Sequence, residues 1–283
     1  MTPASDLSLE GYCGPSLWLR ALPSPTLPPA QTTNHYLVGD ARAVLVDPAT
    51  PGRRAQAELK TWLEQARAAG IEVVALLLTH HHRDHVGAAE FLRHTMGLPI
   101  WAHSATAALL AGKLPVDRAI GDGEVVASNR DGSAWQAWHT PGHAPGHLAL
   151  WHAPSQQAVV GDLVAGEGTI LIDPSDGHMG QYLASLQRIA DLQPRVLAPA
   201  HGALQHQAVE LLDHYRRHRL AREAAVLQAL TADFCEPADL LPSAYADVPR
   251  TVWPLALRSL VTHLIYLQEQ GLATHANQRW RRA

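Results

Sequence analysis

Cysteine is nearly absent, with Cys13 and Cys235 the only two in 283 residues. They stand far apart, without the close spacing of thiolate ligands, so neither a disulfide framework nor a cysteine-based zinc site is expected. No stretch approaches about eighteen uninterrupted apolar residues, so a membrane-spanning helix is not expected either. An excess of positive charge is also missing: 22 Lys and Arg stand against 26 Asp and Glu, for a net charge of −4. That balance argues against nucleic-acid binding by bulk electrostatics, while leaving room for a local basic patch. The first residues, with Asp6 and Glu10, lack a basic segment leading into an apolar run, so no secretory or transit signal is read there. Taken with the scarce cysteine, this predicts an intracellular, cytoplasmic chain. Repeats and low-complexity segments are absent too.

What the chain has in quantity is histidine, 18 in all. Four ligand-type side chains in the spacing H-x-H-x-D-H, His80, His82, Asp84 and His85, fall within Thr79-His80-His81-His82-Arg83-Asp84-His85, directly after an apolar run at residues 73–78. The length and branching of that run suit a strand buried on both faces. If the strand's alternation continues, His80 and His82 point to one side and His81 and Arg83 to the other. Asp84 and His85 then begin the turn into a helix. One short loop can thus offer two imidazoles to one ion, and a carboxylate plus an imidazole to another. A lone histidine at a strand end is more often structural than a ligand, but four donors in this spacing point to a metal site.

The cluster has too few ligands to close two sites, so further donors are expected just past other strands. They occur. His143 follows Thr140-Pro141-Gly142, Asp162 follows Val160-Gly161, and His201 sits in Ala200-His201-Gly202. Each has glycine or proline beside it to turn the backbone sharply.

The apolar fraction of 47% is ordinary and allows one large domain, or a large one and a small one. A proline-rich stretch at residues 23–29 reads as an extended crossing segment. Residues 34–38 and 43–47 read as a hairpin. Asp47 closes its second strand, more readily a turn former than a carboxylate behind the metal site. Helices are predicted over 53–69, 87–96 and 104–111, and strands over 71–78, 99–103, 124–127, 134–140, 147–152, 158–164 and 195–199. Two packed sheets with helices outside follow from that order. Past residue 205 come a long helix (205–230), a short helical piece near 237–241, a second helix (251–270) and a hairpin at 272–283. That is the outline of a winged-helix module. The domains are expected at 1–204 and 205–283.

The motifs His80-x-His82-x-Asp84-His85, Thr140-Pro141-Gly142-His143, Gly161-Asp162 and Ala200-His201-Gly202, in this order over residues 30–205, resemble the metallo-β-lactamase superfamily. The resemblance implies a four-layer αββα sandwich, an α/β fold, with the winged-helix-like domain at its C-terminal end. It implies that His80, His82 and His143 hold one zinc ion, that Asp84, His85 and His201 hold the other, and that Asp162 bridges them. His147 is expected to do no metal chemistry. Five imidazoles with two carboxylates suit zinc, and iron or manganese would tolerate the same set. The activity implied is hydrolysis by a hydroxide shared between the ions, with Asp84 as catalytic proton acceptor as well as ligand. No serine or cysteine nucleophile is required.

The stretch at 161–170, with Asp173-Pro174 and the trailing helical module, is similar to a branch that includes a mitochondrial endoribonuclease acting on single-stranded RNA. A phosphodiesterase on such RNA is therefore one expectation. Arg216, Arg217, Arg219, Arg222 and the tail Arg279-Trp280-Arg281-Arg282 would supply phosphate contacts and a stacking surface. A thioesterase or glyoxalase-II-like hydrolase of small acyl thioesters is the other, and needs no basic surface. β-Lactam hydrolysis fits less well without an export signal. A non-catalytic regulator is opposed by all seven ligand positions being filled. Residues 167–178 and Tyr182 are expected to line the substrate side. Oligomeric state is not legible.

Overall fold

The computed structural model describes residues 9–166 and 168–283; Asp6 and Glu167 lie outside the described residues. Contacts group the chain into two compact units. One comprises the chain up to Thr140, Gly146–Thr169 and Leu192–Ala208; the other comprises Pro141–Pro145, Ile170–Asp191 and Val209–Ala283.

The first unit is mixed α/β. Its elements are β1 (Tyr12–Gly14), β2 (Leu17–Pro23), β3 (Thr32–Val38), β4 (Arg42–Val46), α1 (Arg53–Ala68), β5 (Glu72–Leu78), α2 (Arg83–Val86), α3 (Ala89–Met96), β6 (Ile100–Ala102), α4 (Ser104–Leu110) and β7 (Arg118–Ala119). There follow β8 (Val125–Ser128), β9 (Ala134–His139), β10 (Leu148–His152), β11 (Gln157–Gly161) and β12 (Val196–Pro199). Strand pairing runs β1-β2-β3-β4-β8-β9-β10-β11-β12, with β5, β6 and β7 branching from β4. β4 pairs with β5 along its length but meets β8 only at Arg42, opposite Ser128. The sheet therefore curls at that junction into two halves.

Alternation along the strands explains why the run at 73–78 has no polar face. Val44, Val46, Ala75 and Leu77 pack into one core with Trp135, Ala137, Leu148 and Leu150. Ala43, Leu45, Leu76 and Leu78 pack into another with Leu59, Trp62 and Leu63 of α1 and Leu92 of α3. Each such Leu, fully buried, contributes about 1.5–3 kcal/mol. A polar substitution on either face of β5 would therefore reach a core.

Two differences from the sequence reading are local. The segment at 17–23 is a full strand, β2, paired with β3 from Leu17↔Val38 to Pro23↔Thr32. Proline is tolerated there because Pro23 is the strand's last residue. The strand predicted over 158–164 ends at Gly161, whose φ of +48° breaks the extended run.

In the second unit, α5 (Met179–Ala190) buries Met179, Tyr182, Leu186 and Ile189 and was not anticipated as a helix. The anticipated outline of helix, turn, helix and hairpin is present as α6 (Ala208–Ala229), α7 (Leu241–Ala244), α8 (Trp253–Glu269), and the antiparallel pair β13 (Ala273–Ala276) and β14 (Arg279–Arg282). Val226, Leu240, Leu260, Leu264, Leu267 and Trp280 form its core. Among the described residues, no helix is long and apolar enough to cross a membrane.

Candidate metal centre

β5 ends at Leu78, and the backbone then bends so that His80 and His82 converge by a turn instead of by strand alternation. Nε2 of His80 stands 2.9 Å from Nδ1 of His82. His82 is the residue before α2, which places Asp84 and His85 in the first turn of that short helix. β11 delivers Asp162 and β12 delivers His201.

Within the first unit, His80, His85 and Asp162 bring donor atoms within 4.8 Å of one another, and so do Asp84, His85 and His201. Nε2 of His201 lies 3.4 Å from Oδ1 of Asp162 and 3.6 Å from Oδ2 of Asp84. Nε2 of His85 lies 3.5 Å from Oδ2 of Asp162 and 3.9 Å from Oδ1 of Asp84. The two Asp162 oxygens thus face different histidines. His143 lies in the second unit, where its Nδ1 donates to the Leu171 carbonyl at 2.9 Å.

The hydrogen bonds around the ring of donors settle their tautomers. Nδ1 of His201 is 3.0 Å from the Thr32 carbonyl, which can only accept. Its Nε2 therefore carries a lone pair, and the same argument holds for His143. Asp47 accepts from the Thr79 amide and hydroxyl, both at 2.7 Å, and from Nδ1 of His85 at 2.8 Å. Since the Thr79 hydroxyl proton goes to Asp47, its oxygen accepts from Nδ1 of His80, 2.9 Å away. His80 and His85 are thereby also held with Nδ1 as the donor and Nε2 turned toward the other donor groups, the nitrogen that carries the lone pair once the ring is neutral. This is how protein metal sites orient their imidazoles. Asp47 is thus a carboxylate behind the ligands, and its φ of +51° shows that it also turns the chain. The preference for a turn former alone undervalued it.

The donors fit a metal cation on this structure's own terms. Nε2 of His85 is buried and without a hydrogen-bond partner among the described residues, and imidazole with carboxylate is the donor chemistry of zinc and iron sites. Burial opposes charge on His85, yet the carboxylates of Asp162 and Asp47 outweigh it and hold its pKa well above the ordinary value. A divalent cation among these carboxylates would take that proton's place.

Other residues position the donor side chains. His147 receives the Asp162 amide on Nε2 at 3.1 Å, so its Nδ1 donates to the Thr140 hydroxyl at 2.8 Å. Gly161 makes that possible, because a Cβ there would lie 2.6 Å from Nε2 of His147. Asn34 grips the His201 loop through the carbonyls of Pro199 and Gly202, at 2.9 and 2.7 Å. Cys13 lies outside every donor group, and burial pushes its thiol up to about 12, so it offers no thiolate.

The arginines proposed for phosphate contacts are partly committed elsewhere. Arg219 is buried, donating to the Ile170 carbonyl, and Arg222 donates to the Ala244 carbonyl and pairs with Asp247. Arg216 pairs with Asp213. Trp280 is buried and stacked on His275, which removes it as an open stacking face. Arg217, Arg279, Arg281 and Arg282 are exposed.

Comparison with known proteins agrees with this architecture. Residues 28–201 match the family described as the metallo-beta-lactamase superfamily, and residues 237–280 match the beta-lactamase associated winged helix domain. The chain is 30% identical over 257 residues to the Beta-lactamase-like protein 2 homolog of Caenorhabditis elegans, covering 86% of this chain and 80% of that one. A solved metallo-beta-lactamase family protein from Thermus thermophilus superimposes with a TM-score of 0.76 at 25% identity, over 95% of this chain and 99% of the other. A further solved protein, in a di-iron-bound form, is 30% identical with a TM-score of 0.52, over 67% of this chain and 96% of its own. The expected fold with its C-terminal winged helix is thereby shown. With imidazole and carboxylate donors gathered at strand ends of that fold, the chain belongs to the metallo-beta-lactamase superfamily, a family of metal-dependent hydrolases.

Proposed function

We propose that the protein is a hydrolase using two divalent ions, zinc by donor preference, and that it cuts phosphodiester bonds in single-stranded RNA. The observation supporting the two-ion reading is that Asp162 groups with His80, a member of one set of ligands in the motif, and with His85, a member of the other. The motif assigns His80, His82 and His143 to one ion and Asp84, His85 and His201 to the other, with Asp162 between. When bound, the ions supply a water acidified toward neutral pH and Lewis acidity toward a phosphoryl or carbonyl oxygen. Asp84 is the more open of the two carboxylates, its side chain 19% exposed against 10% for Asp162. It is the group placed to take up a proton from the attacking water. Asp47 and His147 hold His85 and Asp162 still while that proton moves.

Support for RNA comes from the likeness of the 161–170 stretch to the endoribonuclease branch and from the exposed Arg217, Arg279, Arg281 and Arg282. The test is cleavage of labelled single-stranded RNA, with metal content measured alongside. Chelator-sensitive cleavage with two ions per chain is expected. An Asp84→Asn variant should lose at least about a hundredfold in rate, the lower range for a general base. Full activity with full metal loading in that variant would exclude its proton role.

A second reading rests on a specific cavity. A pocket of about 540 Å³ beside His82 is lined by Val86, Leu109, Leu110 and Leu114, with the cations Arg83 and Lys113 and the single carboxylate Glu90 among its polar groups. Its size is that of a small-molecule site. An acyl thioester bearing an anionic group suits it, and hydrolysis of such thioesters without RNA cleavage would decide for this reading.

A further inference from the structure

The second unit supplies a frame that holds His143. Its Nδ1 donates to the Leu171 carbonyl at 2.9 Å. The two peptide groups flanking Leu171 are themselves tied to the helices of the winged-helix region. Arg219 of α6 donates to the Ile170 carbonyl, and the Thr262 hydroxyl of α8 donates to the Ile172 carbonyl at 2.7 Å. One residue further on, Arg258 of α8 pairs with Asp173.

The turn that carries His143 is gripped from its other side by α5. The Ser185 hydroxyl donates to the Pro141 carbonyl at 2.7 Å, and the His178 amide donates to the Gly142 carbonyl at 2.8 Å. Arg219 touches this side too, its guanidinium lying 5.4 Å from the centre of the Tyr182 ring. Tyr182 is the residue against which Gly142 packs. A single buried cation thus braces both supports of one imidazole.

We infer that Thr262 and Arg219 are positioning residues for His143, acting through the Leu171 carbonyl to fix the tautomer and aim of its Nε2. The inference rests on the reading of His143 as a ligand of one ion. The physical reason is that a ligating imidazole keeps its aim only if the acceptor of its other nitrogen is fixed. A carbonyl in an untethered loop would not be. Here three successive carbonyls are engaged, by Arg219, His143 and Thr262 in turn. The winged-helix region is thereby given a task in metal binding that requires no contact with substrate.

The test is metal affinity by competition with a chromogenic chelator on the full chain. Cobalt(II) absorption gives a second readout of ligand geometry. Thr262→Val is expected to weaken one of the two ions about tenfold, the low end for outer partners of metal ligands. The other ion should be unmoved, and the cobalt band of the weakened site should shift. Thr262→Ser, which keeps the hydroxyl, should restore both. Arg219→Lys, keeping a cation but not the fork, should weaken the same ion. Arg222→Gln, which breaks contacts to Ala244 and Asp247 elsewhere in this unit, serves as the stability control and should leave both affinities unchanged. His143→Ala separates the two levels of the argument. If it weakens neither ion, the ligand assignment fails and this inference with it. If it weakens one ion while Thr262→Val and Arg219→Lys weaken neither, the ligand assignment stands and the positioning inference is overturned.

Discussion

His263 lies on α8, fully buried, and neither ring nitrogen has a hydrogen-bond partner among the described residues. Burial, followed by the nearby Arg219, Arg222 and His218, pushes its pKa down to about 3. In the unfolded chain the same group would titrate near the ordinary value of about 6.5. Between those values the unfolded state binds a proton that the folded state refuses. Stability therefore falls as pH drops from about 6.5 toward 3, by at most about 1.4 kcal/mol per pH unit. Integrated from pH 7 to pH 5, the loss from this one residue is about 2 kcal/mol.

His263→Leu removes that titration and two unsatisfied polar atoms while keeping nearly the same volume. Each buried polar group left without a partner costs about 1–3 kcal/mol, so the variant should be more stable than the parent by about 1–2 kcal/mol at pH 7. The gap should widen to about 3–4 kcal/mol at pH 5. Urea titrations at several pH values, all in excess chelator, measure it. Other acid-sensitive groups, His35 among them, occur in both proteins and cancel in the difference. A difference that does not change with pH would refute the claim that folded His263 stays neutral. A variant less stable than the parent at pH 7 would refute the absence of a partner for the ring.

Asp47→Asn keeps the shape behind the metal centre but removes the charge that accepts from Nδ1 of His85, so metal affinity should fall about 10–100-fold in chelator competition. Gly142→Ala would place a Cβ 2.2 Å from the Tyr182 amide at a φ of +129°. It should cost about 1–3 kcal/mol or more in urea unfolding, and a neutral result would mean that the turn relaxes freely. Metal removal should lower thermal stability. With free metal at about a hundredfold over its dissociation constant, the loss is about 2.7 kcal/mol, and an unchanged Tm on chelation would argue against ions bound to the folded chain.

Ligand-type residues announce themselves because few other roles ask for histidine and aspartate beside glycine at strand ends. His80, His82, Asp84, His85, Asp162 and His201 were legible for that reason, and the structure brings them together in one unit. The groups that aim them are ordinary: a Thr79 hydroxyl, an Asn34 amide, the carbonyls of Thr32 and Leu171. Nothing in a one-dimensional pattern separates these from any other threonine, asparagine or peptide. Asp47 was misjudged for a related reason, since its local conformation is that of a turn residue and its partners at 79 and 85 come from another strand and helix. Arg219 of α6 departs from its pattern for a different reason. The spacing of the α6 arginines reads as a charged outer face, but burial of Arg219 depends on the loop at 170–172, which α6's own sequence does not encode.

Two physically expensive features of the second unit interact with each other. Arg219 is a buried cation, and His263, whose protonation that cation opposes, is a buried imidazole without a partner among the described residues. Replacing such groups by apolar residues of similar volume is often neutral or stabilising, so fold stability alone does not account for them. Departures from good packing gather where function demands them. Arg219 has an employment that no apolar side chain could supply, because only a donor can hold the Ile170 carbonyl beside the one that orients His143. His263 has none that the described residues show, and its cost is then explained by the cation it lies near. A neutral imidazole tolerates a neighbouring buried guanidinium better than a second cation would. This unit thus carries an energetic burden beside the loop whose carbonyl holds His143, the proposed ligand.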